Sequence, residues 1–152
     1  MSEPAWDRSR CSVAGTLAVV GEKWSLLVLR EAFFGVRRFA EFQRILGAPK
    51  AVLTDRLATL VEQGILQRVP YQAEGERQRH EYRLTEKGRD LYPTLVALMQ
   101  WGDRYLADGV PPMALEHRDC GEPVHLGLVC GAGHELAGPR EVRPVPQPAA
   151  RR

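Results

Sequence analysis

Apolar positions recur along much of this chain at helical spacing, and the breaks in that pattern outline its elements. From residue 12 to about 34 the spacing is helical: Val13, Leu17 and Val20 form one stripe, and Trp24, Leu27 and Val28 continue it past Gly21. The pattern predicts two helices, broken near Gly21 and stopped at Gly35, because glycine readily ends a helix. A short helix over RFAEFQRIL follows, with Phe39, Phe42, Ile45 and Leu46 on one face. Gly47-Ala48-Pro49 breaks it, and Pro49 suits the first turn of the next helix, where its missing N–H would be unpaired anyway. That helix, roughly 49–63, carries Leu53, Leu57, Leu60 and Val61 toward a core and stops at Gly64. A short and a longer helix joined by a tight glycine-containing turn make a helix-turn-helix candidate.

Past Gly64 the pattern changes. ILQRVPY and RHEYRLT read as strands, and AEGERQ between them is polar with a central glycine, so a β-hairpin with an exposed tip is expected. Thr85 is placed to cap a long helix over about 86–107, with Glu86 at the positive end of its dipole. Two apolar stripes run along that helix. Leu91, Leu95, Leu98, Gly102 and Tyr105 form one; Tyr92, Val96, Met99 and Leu106 lie beside it, and Trp101 widens the arc. One stripe docks a helix on its own domain. A second predicts a partner surface, most economically another copy of the chain, with Leu91, Leu95, Leu98 and Tyr105 in the interface.

The fold class expected is therefore mainly α with a small β-hairpin wing (α+β), a winged helix-turn-helix that is homodimeric through its N-terminal helix and its long C-terminal helix. The expected organisation is a flexible N-terminus over 1–10 and a DNA-binding and dimerisation domain over 11–110. A small Cys/His-containing hairpin appendage over 111–143 and a Pro-rich, disordered tail over 144–152 complete it.

Composition adds limits. A length of 152 residues suits one domain with a small appendage, and 44% hydrophobic with 26% charged residues is ordinary for a globular protein. No apolar run approaches the roughly 18 residues that span a bilayer, and MSEPAWDRSR lacks the apolar segment of a signal peptide, so a cytoplasmic location with no membrane partner is expected. A net charge of +2 permits nucleic-acid binding without demanding it. Cys11, Cys120 and Cys130 are too few for a disulfide scaffold. No nucleophile elbow, phosphate loop, dinucleotide fingerprint or paired-carboxylate arrangement occurs, so no enzyme is expected.

The stretches CSVAGTLAVVGEKWSLLVLREAFFGVRRFAEFQRIL, LTDRLATLVEQGIL, EYRLTEKGRDL and LMQWGD, in that order, resemble the HxlR family of winged-helix regulators, relatives of the MarR type. The resemblance covers roughly residues 11–107. It implies a homodimer on a pseudo-palindromic double-stranded operator, usually a repressor and sometimes an activator.

With Leu53, Leu57 and Leu60 inward, the first turns of the recognition helix present Lys50, Ala51, Thr54, Asp55 and Ala58 to the major groove. Lys50 can reach a guanine edge or a phosphate, Thr54 can bond either, and Asp55 can accept from a cytosine amino group. Arg56, at the edge of the buried stripe, is open to internal pairing. Arg37 and Arg38 start the preceding helix, where phosphate contacts are common; a plain charged surface is the alternative. At the hairpin tip, Arg77, Gln78 and Arg79 suit a minor groove or flanking phosphates, while Glu74 and Glu76 offset part of their charge. The wing is expected to position the protein rather than specify sequence.

Three features bear on regulation. The family resemblance marks Cys11 as a redox-sensing candidate, since several members sense oxidants or electrophiles through a cysteine at this position. Arg8 and Arg10 would favour its thiolate, and a small buried apolar residue is the plain alternative. In the tail, His117-x-x-Cys120 and Cys130-x-x-x-His134 could place four ligands around one structural zinc, with His125 spare. DCGEPV and LVCGAGHEL resemble the degenerate zinc-ribbon tails of some family members, with Gly133 where a second cysteine is common. Finally, Trp24, Phe33, Phe34 and Trp101 could line an interprotomer cavity for a small-molecule effector, although residues at helical spacing are more often core.

Overall fold

Residues 7–147 are described by the computed structural model. The first six residues of the expected flexible N-terminus and residues 148–152 of the expected disordered tail lie outside them. The chain divides into two units, one of residues 11–95 and one of residues 96–147 with 7–10.

The first unit carries the elements that the apolar periodicity predicts. α1 (Ser12–Val20) and α2 (Lys23–Phe33) meet at an angle of 79°. Gly21 makes the bend possible: a Cβ there would lie 2.4 Å from the Leu17 carbonyl oxygen, closer than any side-chain carbon can come. Glu22 starts α2, its carboxylate accepting from the N–H groups of Trp24 (2.9 Å) and Ser25 (3.3 Å). α3 (Phe39–Leu46) ends at Gly47 in the left-handed conformation (φ 63°), and α4 (Lys50–Glu62) begins after Pro49. The core forms where these helices face one another, with Val28, Leu29, Phe42, Leu53, Leu57 and Leu60 all fully buried. Each such side chain contributes about 1.5–3 kcal/mol relative to staying in water. Ile45, expected on the buried face of α3, is instead exposed.

β1 (Leu66–Tyr71) and β2 (Arg79–Leu84) pair antiparallel, with Leu66 opposite Leu84 and Tyr71 opposite Arg79. One further hydrogen bond, from the Tyr82 N–H to the Arg37 carbonyl (2.7 Å), ties the loop before α3 to the hairpin. The hairpin base is locked by Thr85, whose hydroxyl accepts from the Gly88 N–H (3.0 Å) and reaches the Ile65 carbonyl (3.1 Å). Gly88 is obligatory here, since a Cβ would sit 2.2 Å from the Ile65 carbonyl oxygen.

The single helix expected over about 86–107 is in fact two, α5 (Glu86–Arg89) and α6 (Tyr92–Tyr105). Pro93 has no N–H to offer the Arg89 carbonyl, and the Leu91 N–H turns instead to Gly88 (3.2 Å), a tighter bond than an α-helix makes. The unit boundary falls within α6.

In the second unit the expected hairpin is much reduced. β3 (Leu128–Val129) and β4 (Glu135–Leu136) are two residues each, preceded by an isolated bridge between Glu116 and Pro123. What secures this segment to α6 is a side chain. The Gln100 amide donates to the Val124 carbonyl (2.9 Å) and accepts from the Leu126 N–H (2.9 Å), copying the two bonds of a β-ladder rung. Among the described residues no single helix is long and apolar enough to cross a membrane.

Candidate nucleic-acid interface

An α-helix can read base edges only if its outer face is free while its inner face is anchored. α4 meets both conditions: Leu53, Leu57 and Leu60 are fully buried, and Lys50, Ala51, Thr54 and Asp55 are exposed. Ala58 is half-buried. Thr54 donates its hydroxyl proton to the Lys50 carbonyl of its own helix (2.8 Å), which leaves its lone pairs outward. It is thus prepared to accept from an adenine or cytosine amino group. Asp55 forms an ion pair with Arg56, the internal partner left open for that arginine. The pair lowers the cost of placing a carboxylate near phosphates. The unpaired N–H groups of the first turn of α4 add partial positive charge on the same side.

Arg37 and Arg38 are both exposed, and the structure fixes them more firmly than a plain charged loop would be. The Tyr82 bond holds the Arg37 backbone, and the Arg38 N–H donates to the Glu41 carboxylate (3.3 Å) at the start of α3. The Arg38 guanidinium lies 4.4 Å from the centre of the Tyr71 ring. This cation–π contact orders a long side chain before DNA arrives, so less freedom is lost on binding. Tyr71 escaped the sequence reading because strand alternation marks it only as a hairpin residue. Arg44, exposed on α3, was missed as well, since nothing in the pattern separates it from a solvated charge.

At the wing tip Arg77, Gln78 and Arg79 are exposed, beside a turn in which Gly75 takes φ 76° and the Gln72 amide donates to the Glu76 carbonyl (2.8 Å). Glu74 and Glu76 share the tip and dilute its positive charge.

The remaining predicted positions fall into different settings. Leu91 and Leu95 are half-buried against the core of their own unit, whereas Leu98 and Tyr105 are 52% and 59% exposed. On α1, Val20 turns inward, while Val13 (68%) and Leu17 (59%) face outward on a helix whose first seven residues are all exposed. Cys11 precedes that helix and is half-exposed. Trp24 is half-buried against the core and Phe33 meets Tyr92 at a tilt (4.9 Å between centres, 48°), while Phe34 and Trp101 are exposed.

In the second unit, His117 Nδ1 lies 3.0 Å from Cys120 Sγ, and His134 Nδ1 lies 3.5 Å from Cys130 Sγ. Backbone N–H groups of His134 and Ala132 aimed at the Cys130 sulfur lower its pKa. The four residues stay as two pairs. Among the described residues no three His, Cys, Asp or Glu side chains gather as they stand to hold an ion.

Comparison with known proteins gives the site its context. A family model described as HxlR-like helix-turn-helix matches residues 19–109. An uncharacterised HTH-type transcriptional regulator of Mycobacterium tuberculosis is 52% identical over 139 residues, covering 90% of this chain and 86% of the relative. Among solved structures, PA1607 superposes with a TM-score of 0.79 at 44% identity, over 91% of this chain and 96% of its own. The redox regulator HypR in its oxidised form superposes with a TM-score of 0.56 at 36% identity, over 62% of this chain and 96% of its own.

Proposed function

As the chain belongs to the HxlR-like helix-turn-helix family of transcriptional regulators, we propose that it binds a pseudo-palindromic operator as a homodimer in the cytoplasm and represses transcription by occupancy, without catalysis. The observation that carries this reading is α4, with three leucines fully buried and Lys50, Ala51 and Thr54 presented outward. Lys50 and Thr54 contact bases, Arg37 and Arg38 hold the phosphates beside them, and Arg77, Gln78 and Arg79 set the register from the wing. The dimer rests on the exposed apolar residues of α1 and α6, among them Val13, Leu17 and Leu98, since apolar surface open to water is stabilised by a cover. A twofold partner also supplies the second recognition helix that a palindrome needs.

Operator binding by the full-length protein, followed by fluorescence anisotropy across a salt series on DNA flanking its own gene, tests this. Replacing Arg77 and Arg79 with alanine should lower the log–log salt slope by about one unit per lost phosphate contact. An unchanged slope would remove the wing from the interface. Absence of any preferred sequence would remove the function.

A second reading is supported by the position of Cys11. It is half-exposed at the start of the uncovered α1, and HypR, a related structure, is a redox regulator. We infer that oxidants or electrophiles act on Cys11 at the dimer surface. Diamide should change operator affinity of the parent protein and leave Cys11→Ser unaffected; equal responses would end the inference.

A further inference from the structure

The operator-binding reading gives the segment after α6 no task, yet that segment and the helix border a cleft. The second half of α6 and the segments around Met113 and Val124 border an open cleft of about 680 Å³. This lies within the range of pockets that take metabolite-sized ligands, about 300–1,000 Å³. The cleft is also preformed. Gln100 spends its whole amide on Val124 and Leu126, so the wall opposite α6 is fixed before any ligand enters.

Its lining states what would fit. Trp101 and Tyr105 form a shelf with ring centres 5.4 Å apart, inclined by 50°, and both are more than half exposed. Met99 and Met113 line the same cleft. Thioethers are deformable and pack well against ring edges. The charged residues are Arg104 and Asp103, with His125 as a further polar group. The Arg104 guanidinium rests 5.2 Å from the Tyr105 ring, and among the described residues it makes no ion pair within 4 Å. A guanidinium ordered on an aromatic ring and free of a carboxylate is a ready partner for one. Asp103 limits the negative charge that the cleft accepts, which disfavours polyanions such as nucleotides.

We propose that this cleft binds a planar aromatic monoacid, its rings on the Trp101–Tyr105 shelf and its carboxylate on Arg104. The site lies wholly within one chain and shares Tyr105 with the proposed dimer stripe. The proposal rests on the regulator reading only for its purpose, as the signal the protein answers to. Its chemistry stands without DNA.

The test uses the full-length protein and no operator. Naphthoate and its neutral analogue naphthylmethanol are titrated by calorimetry and by tryptophan fluorescence. Both should bind at one site per chain, the acid more tightly. Arg104→Gln should weaken naphthoate about tenfold or more, as expected for a charge-assisted bond, and change naphthylmethanol less than about threefold. Ala114→Trp, at an exposed lining position, should fill the cleft and abolish both while circular dichroism and the thermal midpoint stay unchanged. No binding up to about 1 mM would overturn the proposal. So would naphthoate binding that Ala114→Trp leaves intact, or self-association that Ala114→Trp abolishes in a protein that never binds naphthoate, which would assign the cleft to a second copy. Operator affinity, measured separately, keeps the two readings apart: a chain that binds naphthoate and no DNA refutes the regulator alone.

Discussion

Leu17→Ala separates the proposed dimer from the fold of the monomer. Leu17 is 59% exposed on α1, so its truncation removes little from the core of its own chain. Surface changes of this kind usually alter stability by no more than about 0.5 kcal/mol. In a twofold dimer the same side chain is covered. Full burial of a leucine contributes about 1.5–3 kcal/mol, and the exposed fraction scales this to about 1–2 kcal/mol per chain. Symmetry applies the loss twice, about 2–4 kcal/mol in all, which raises the dissociation constant about 30- to 800-fold. Sedimentation of the 17.0 kDa chain across a dilution series reads that constant directly. Operator affinity at low concentration should fall in step, since half a dimer holds one half-site. A dissociation constant within about threefold of the parent, with circular dichroism unchanged, would refute the placement of α1 in the interface.

Other consequences follow from the same geometry. Leu57→Ala, in the fully buried face of α4, should destabilise the protein by about 2–5 kcal/mol in urea unfolding. A smaller loss would mean that the core collapses around the gap. Gly88→Ala should cost at least about 1–3 kcal/mol in the same assay, because its Cβ would meet the Ile65 carbonyl at 2.2 Å and the wing base must shift. Thr54→Val removes outward lone pairs without changing shape; it should weaken the operator by about 1–3 kcal/mol and relax selectivity at one base pair. Equal loss on every sequence would reassign Thr54 to the backbone. Tyr71→Leu should weaken operator binding by about 0.5–1 kcal/mol through the unmoored Arg38, and Arg38→Ala should abolish that difference in a double-mutant cycle.

What the sequence revealed and what it hid divide along one physical line. Periodicity reports which side of an element is anchored, so α1 to α4 and both wing strands were legible from apolar spacing together with Gly21, Gly47 and Thr85. The outward face of α4 followed from its inward one. Periodicity is silent about backbone hydrogen-bond supply, and for that reason it predicts one helix over 86–107: the apolar stripes run unbroken through Pro93, whose missing N–H divides it. It is equally silent about which of two uses an apolar residue serves. Leu91 and Leu98 occupy one stripe at equivalent spacing, yet Leu91 packs on its own core and Leu98 faces water. The functional site shows the same limit. Lys50 and Thr54 could be placed because a helix fixes direction, whereas the ordering of Arg38 by Tyr71 links residues 33 positions apart and needs the register of β1 on β2. Gln100 is the sharpest instance. It stands as one polar residue between Met99 and Trp101, and its meaning lies entirely in two backbone groups more than 20 residues away. The second unit is held by pairing of this kind, and it carries the cleft beside α6, so it is where the signal of this chain is to be sought.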